Sequence, residues 1–339
     1  MTYSTATNIA VKTGGAGSAA DYRYPWPATT GRGVQVGLGG LWLLDGVLQL
    51  QPFMFTPDFA RHVLAASGQD QPAWVGAPVD FMARLIAEHS APLDTGFVLI
   101  QLALGIGFLL PRLVRPAIVG SLAWSAGIWW FGEGLGGLAT GHASLVTGAP
   151  GAVLLYAVLA LAAWPLQDHH GPRPTRAAVA RWFPAAWAAL WIGGAVVQLL
   201  EGQGATAALR NQIQDTDGLP AWLALAHRLA GPALSHSGTG PFIALVAVMA
   251  LVGLGGLGGR TWRRAAAAVG AVAATAFWVL GQNVGELYSG QATDPNTGPL
   301  IVLMALALAG TTVRTTGPIN TAQARRPDQT ATAGGTNDQ

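Results

Sequence analysis

The chain has no cysteine. That absence removes disulfides, thiolate metal sites, iron–sulfur clusters and cysteine nucleophiles. Charge is scarce too: 10% of the 339 residues are Asp, Glu, Lys or Arg, 51% are hydrophobic, and mean hydropathy is +0.39. A soluble domain carries roughly a quarter of its residues as charges, so the composition points to an integral membrane protein. Lys12 is the single lysine. With heavy use of Ala and Gly, that scarcity suggests a bacterial chain from a GC-rich genome. The pI near 9.3 does not mark a nucleic-acid binder, because the arginines form no basic stripe interleaved with aromatics. The first 30 residues, MTYSTATNIAVKTGGAGSAADYRYPWPATT, lack the apolar core of a signal peptide. Residues 1–32 and 315–339 are expected to be polar, disordered tails.

What the chain does have is long apolar runs. A bilayer core takes about 20 mostly apolar residues per helix, and eight segments answer that description, near 34–54, 96–111, 114–133, 147–165, 183–200, 240–257, 265–284 and 298–313. Arg112 and Arg115, then Arg173, Arg176 and Arg181, then Arg260, Arg263 and Arg264, then Arg314 fall on alternate connections, on the side of both tails. By the positive-inside rule that side is the cytoplasm. The expected location is therefore the bacterial cytoplasmic membrane, with both termini cytoplasmic.

The chain also repeats itself. LWLLDGVLQL at 41–50 is answered by LWIGGAVVQL at 190–199, an offset of 149 residues. That offset takes Trp129 to Trp278, Gly132 to Gly281, Gly136 to Gly285 and Pro150 to Pro299. Pro72-Ala73-Trp74 meets Pro220-Ala221-Trp222 at nearly the same spacing. Two four-helix units in tandem, each with an even number of spans, share an orientation and imply a pseudo-two-fold axis along the membrane normal. The expected organisation is a first repeat at 33–166, a cytoplasmic linker at 167–182 and a second repeat at 183–314. Between the first two spans of each unit, TPDFARHVLAAS, PVDFMARLIAEHS and LPAWLALAHRLAGP read as short amphipathic helices at the outer face.

A four-span unit that opens with a Gly-rich apolar helix, passes through a Pro-Ala-Trp step and closes with two compact helices resembles the DoxX/DoxD-like membrane family. Four-helix members of that family include a subunit associated with thiosulfate:quinone oxidoreductase. The resemblance covers the membrane region of both halves, rests on architecture and small-residue steps, and matches no catalytic residue. It implies a membrane component in a redox or quinone-linked setting, with a membrane-associated oxidoreductase as partner.

Polar residues inside the spans carry the functional reading. Residues 278–299 read WVLGQNVGELYSGQATDPNTGP, and Gln282, Asn283 and Glu286 interrupt the end of an apolar run; in the first copy Glu133 stands where Gln282 does. Gly132/Gly136 and Gly281/Gly285 form Gly-x-x-x-Gly steps expected to let membrane helices approach closely. Trp42 and Gln49 share a helix face, as do Trp191 and Gln198, and Asp45 lies on that face one turn deeper than Gln49. An ionisable group within a span is by default a functional-site hypothesis. Asp45, Gln49, Glu133, Gln198, Gln282 and Asn283 are thus expected to build a polar site near the outer leaflet, with Trp42 and Trp191 available to a quinone ring. The bland alternative is that these side chains only join helices or cap their ends.

Other signals are weak. His62, His89, His142, His227 and His236 are widely separated, with no pair spaced for one helical face. GLGGLGG at 253–259 has no βαβ context, and ATDPNTGP at 292–299 reads as a turn with Asp294 and Asn296 suited to capping the last helix. No catalytic arrangement is visible. The sequence therefore supports an all-α integral membrane protein of eight transmembrane helices in two parallel four-helix pseudo-repeats. A small-solute transporter or channel, and a non-catalytic assembly partner, stand as alternatives to the redox component.

Overall fold

A long apolar run in hydrocarbon must satisfy its backbone internally, and a helix does this within one segment. The computed structural model describes residues 31–164, 175–201, 203–235 and 239–311. Among them all regular elements are helical. The helices are α1 (Arg32–Leu48), α2 (Ala73–Glu88), α3 (Ser90–Leu109), α4 (Val114–Phe131), α5 (Ala152–Ala162), α6 (Thr175–Glu201), α7 (Gln203–Gln214), α8 (Ala221–Ser235), α9 (Thr239–Leu257), α10 (Arg260–Leu280) and α11 (Thr297–Gly310). The greater part of both tails and residues 167–174 of the linker lie outside the described residues, as does His236; His169 and His170 fall in that linker stretch.

Four helices are long and apolar enough to cross a membrane: α3, the Trp182–Glu201 part of α6, α9 and α10. Only 22–44% of each crossing window is buried inside the protein. Their apolar side chains therefore point mostly outward, with Leu99, Leu251 and Val272 among the exposed ones. That inversion of a soluble protein's pattern marks a membrane protein.

The other four expected spans each overlap a helix, with differences in length. α1 has 17 residues and α4 has 18. α5 and α11 have 11 and 14, or about 16 and 21 Å at 1.5 Å per residue, short of a core about 30 Å thick. The expected spans at 147–165 and 298–313 are therefore incomplete as helices. Before α5 the chain runs irregularly through 144–151, where Leu145 and Val146 are buried. Non-helical backbone at such depth is tolerated where protein surrounds it. α2 and α8 occupy two of the three expected amphipathic segments, and the third, TPDFARHVLAAS, forms a short π-helix at Phe59–Leu64 and a 3-10 turn at Ala65–Gly68 in place of an α-helix. α7 had no counterpart in the sequence reading.

Pairings recur along the chain. α1 packs chiefly on α3 and α6 on α9, while α4 packs on α5 and α10 on α11. The halves meet through α5 and α11, flanked by α1 and α6. At the start of α1, Arg32 Nη1 donates to the Phe108 carbonyl at 3.1 Å and its other terminal nitrogen to that of Leu109. Gln35 Nε2 donates to the Ala163 carbonyl at 2.8 Å. These bonds satisfy carbonyls that a helix leaves unpaired at its C-terminus, and they tie α1 to the ends of α3 and α5.

Candidate functional site

α4 and α10 end in the same way. Trp129 Nε1 donates to the Pro150 carbonyl at 2.8 Å, and Trp278 Nε1 to the Pro295 carbonyl at 2.7 Å. Gly132 and Gly281 cap the two helices. Four residues with positive φ follow each cap and its next residue: Gly134, Leu135, Gly136 and Gly137 at 51°, 58°, 63° and 71°, and Asn283, Val284, Gly285 and Glu286 at 48°, 60°, 64° and 53°. A left-handed turn costs L-residues about 1–2 kcal/mol each, so glycine and asparagine are favoured in it. Asn283 thus has a local, conformational reason to stand where it does. The Gly-x-x-x-Gly steps do not serve helix–helix approach: Gly136 lies against the Pro150 backbone and Gly285 against that of Pro295, so each brings the turn onto the connection to the next helix.

Glu133 and Gln282 precede these turns and reach forward. Glu133 Oε1 accepts from the Val153 amide at 3.2 Å, and Gln282 Oε1 accepts from the Gly298 amide at 3.2 Å. Gln282 Nε2 also donates to Thr297 Oγ1 at 2.9 Å and to the Val146 carbonyl at 3.3 Å. Each side chain therefore satisfies an unpaired amide at the start of the following helix. Residue separations of 20 in the first case and 16 in the second make the second connection four residues shorter. Pro150 is thereby matched by Pro295, whereas the constant offset of 149 had paired it with Pro299.

Capping does not account for the acids around Asp45. This side chain is 2% exposed. It lies within electrostatic reach of Asp294, Glu133 and the Tyr156 hydroxyl. Asp294 Oδ1 accepts from the Asn296 amide at 2.7 Å and Oδ2 from Thr293 Oγ1 at 2.9 Å, while burial pushes its carboxyl above the usual carboxylate range. Tyr156 is fully buried, its ring 4.3 Å from that of Trp42 and its hydroxyl aimed at Asp45. Asp45 Oδ1, Glu133 Oε2 and the Tyr156 hydroxyl lack hydrogen-bond partners. Among the described residues the ion pair found is Arg61–Asp58, 3.7 Å apart at the surface; it neutralises none of Asp45, Glu133 and Asp294. The cluster belongs to both halves, since Asp45, Glu133 and Tyr156 precede the 167–182 segment and Asp294 follows it.

No family model, curated protein or solved structure matches the chain. Function therefore has to be read from the site.

The structure separates residues that the sequence grouped. Gln49 shares a face with Asp45 but donates to Asp94 of α3, a fully buried residue whose second oxygen is unpaired. Gln198 Oε1 accepts from Ser144 Oγ at 2.8 Å, pinning the irregular 144–151 segment to α6. Asn283 lines a cavity of about 300 Å³ with Gln212, Asp215, Asp217, Glu286 and Tyr288. Trp42 is 1% exposed and donates to Ser121 Oγ at 3.2 Å. Trp191 is fully buried between Trp187 and Phe277, with ring centroids 5.6 and 6.0 Å away. Both indoles expected to receive a quinone are thus packed in the core, and a quinone ring does not fit against either. Among the described residues, no three His, Asp or Glu side chains converge as metal ligands.

Tyr156, Asp94 and Asp294 were missed as site residues. Tyr156 sits in the apolar run AVLLYAVLALA, and Asp294 in a stretch whose turn residues explain themselves. The signal that could have found Tyr156 is its position one turn inside α5, the helix that Glu133 caps.

Proposed function

We propose that the chain is a multi-pass protein of the bacterial cytoplasmic membrane, built in the DoxX/DoxD-like manner from two four-helix units in tandem. Both termini are cytoplasmic, and the protein serves as the membrane component of a redox-linked system with an acidic site beneath its outer face. The tandem reading is supported by the paired Trp-to-carbonyl bonds, the two left-handed turns and the matching helix pairings. One observation carries the functional reading: buried Asp45 stands within electrostatic reach of half-buried Glu133 and Asp294, and among the described residues no ion pair supplies them a counter-cation. Burying charge costs several kcal/mol per ion unless it is well compensated, and Gln282 caps its helix with an amide where Glu133 uses a carboxylate, so capping does not call for an acid at Glu133 and leaves Asp45 without a structural reason. Groups of this kind in membrane proteins belong to proton relays and ion sites. The redox setting reaches this site through protons, and any quinone binds elsewhere than between Trp42 and Trp191.

The test is purification from the native membrane in mild detergent, with the wild type compared with Asp45→Asn. Co-purification of an oxidoreductase whose quinone-reducing activity falls tenfold or more in the assembled Asp45→Asn complex is the expected result. A protein that purifies alone and carries solute across proteoliposomes would make it a transporter. A partner whose activity ignores Asp45→Asn would make it an assembly factor.

A further inference from the structure

We propose that Asp45, Glu133, Asp294 and Tyr156 form a proton-binding site at the junction of the two units, in which the acids hold protons in common instead of carrying three charges. The proposal rests on the reading of that junction as the functional site and is independent of the redox partner.

The geometry supplies two separate reasons. The first is charge: Asp45 is buried, Glu133 and Asp294 are half-buried within its electrostatic reach, and among the described residues no ion pair neutralises any of the three. An ionised carboxylate only accepts hydrogen bonds, whereas a protonated one also donates. Each proton taken up therefore removes a repulsion and creates a donor for a neighbouring oxygen. The second reason is the Tyr156 hydroxyl, fully buried and turned toward Asp45, with no other hydrogen-bond partner among the described residues. Asp45 Oδ1 and Glu133 Oε2 are unpartnered as well, so the site has spare hydrogen-bonding capacity that a small change in protonation would use.

The surroundings narrow the occupant. α1 brings Asp45, the end of α4 brings Glu133, α5 brings Tyr156 and the segment before α11 brings Asp294. Asp94 of α3 is engaged by Gln49, while α6 and α11 bring the neutral Gln198 and Thr297. Arg32 is committed to the opposite end of α1, and His227 faces the Val279 carbonyl of α10. Within the described residues no cation is among the groups that act on Asp45, Glu133 or Asp294. Among the described residues a dehydrated metal ion lacks three converging ligands, whereas a proton needs only a pair of oxygens.

The second unit argues that this acidity is not structural. Gln282 performs with an amide the capping that Glu133 performs with a carboxylate. At the position of Asp45 the second unit has Gly194, and at that of Tyr156, counted with the shorter connection, it has Ile301. The same frame is thus built there without these three groups.

Infrared spectra of the purified protein in lipid nanodiscs, titrated in pH, read the protonated-carboxyl carbonyl stretch directly. The wild type should show this band at neutral pH and lose it on alkaline titration. Asp45→Asn and Glu133→Gln should each remove part of the band and move the remaining transition to lower pH, because a repelling neighbour has gone. Tyr156→Phe should shift the band frequency without removing it. Glu133→Gln keeps the capping acceptor, so its folding is protected by design. Absence of the band at neutral pH, or a band identical in all these variants, overturns the proposal. A transition that moves with sodium or potassium at constant ionic strength also overturns it, in favour of a cation. A normal titration in a protein with no oxidoreductase partner supports the proton site and removes the redox setting alone.

Discussion

Alanine at Gly136 and at Gly137 should have very different costs, although the two residues are adjacent and share a left-handed backbone, with φ of 63° and 71°. A methyl group at Gly137 meets nothing within 4 Å, so Gly137→Ala should cost only the conformational penalty of about 1–2 kcal/mol. At Gly136 the methyl group would overlap the Pro150 carbonyl, the acceptor of Trp129 Nε1. Relieving the clash displaces that carbonyl, which forfeits a hydrogen bond of about 1 kcal/mol and adds overpacking strain of about 1–3 kcal/mol. Gly136→Ala should therefore exceed Gly137→Ala by about 2 kcal/mol or more. Gly285→Ala should fall between them, its methyl group meeting the Pro295 carbonyl carbon at 2.7 Å. Equilibrium unfolding in mixed detergent micelles measures all three. Equal midpoints for the Gly136 and Gly137 variants would refute the claim that this turn is locked onto the start of α5.

Glu133→Gln should unfold near the wild-type midpoint, whereas Glu133→Leu strands the Val153 amide and should lose about 1–3 kcal/mol in the same assay. Trp129→Phe and Trp278→Phe should each cost about 1 kcal/mol through the lost bond to a proline carbonyl, as checked by thermal unfolding. Gln49→Leu removes the donor of a fully buried acid and should cost about 1.5–3 kcal/mol, with most of the loss restored when Asp94→Leu is added; a double variant no better than Gln49→Leu alone would contradict this pairing.

Helices were legible in the sequence where apolar runs are long, because hydrophobicity and length decide them together. α3, α9 and α10 fall where expected for that reason. α5 and α11 were overestimated: a run that enters the core as irregular chain has the same composition as one that enters as a helix, and only the buried environment of 144–151 distinguishes them. The likeness of the two turns was foreshadowed by Trp129/Trp278 and the paired glycines. A constant offset nevertheless mispaired Pro150, since the deletion of four residues falls in the connection itself. For the site, Asp45 stood out as an acid in a span. Its true neighbours did not, because Tyr156 and Asp294 come from distant parts of the chain and resemble core and turn residues locally. Gln49 and Asp45 share a helix face yet meet different helices, a distinction that periodicity along one helix does not contain.

The central claim is that the two halves build one acidic site, and a double-mutant cycle on Asp45→Asn and Asp294→Asn tests it most directly. Asparagine keeps an oxygen for the Asn296 amide and turns an NH2 donor toward the Thr293 hydroxyl; that local change is common to the Asp294→Asn single variant and the double variant, so the cycle cancels it and leaves the coupling. Unfolding free energies of the two single variants and the double variant should be non-additive by more than about 0.5 kcal/mol, with the second substitution gaining less than the first because the repulsion is already relieved. Additivity within that margin would mean that Asp45 and Asp294 do not sense each other, and the shared site would not exist.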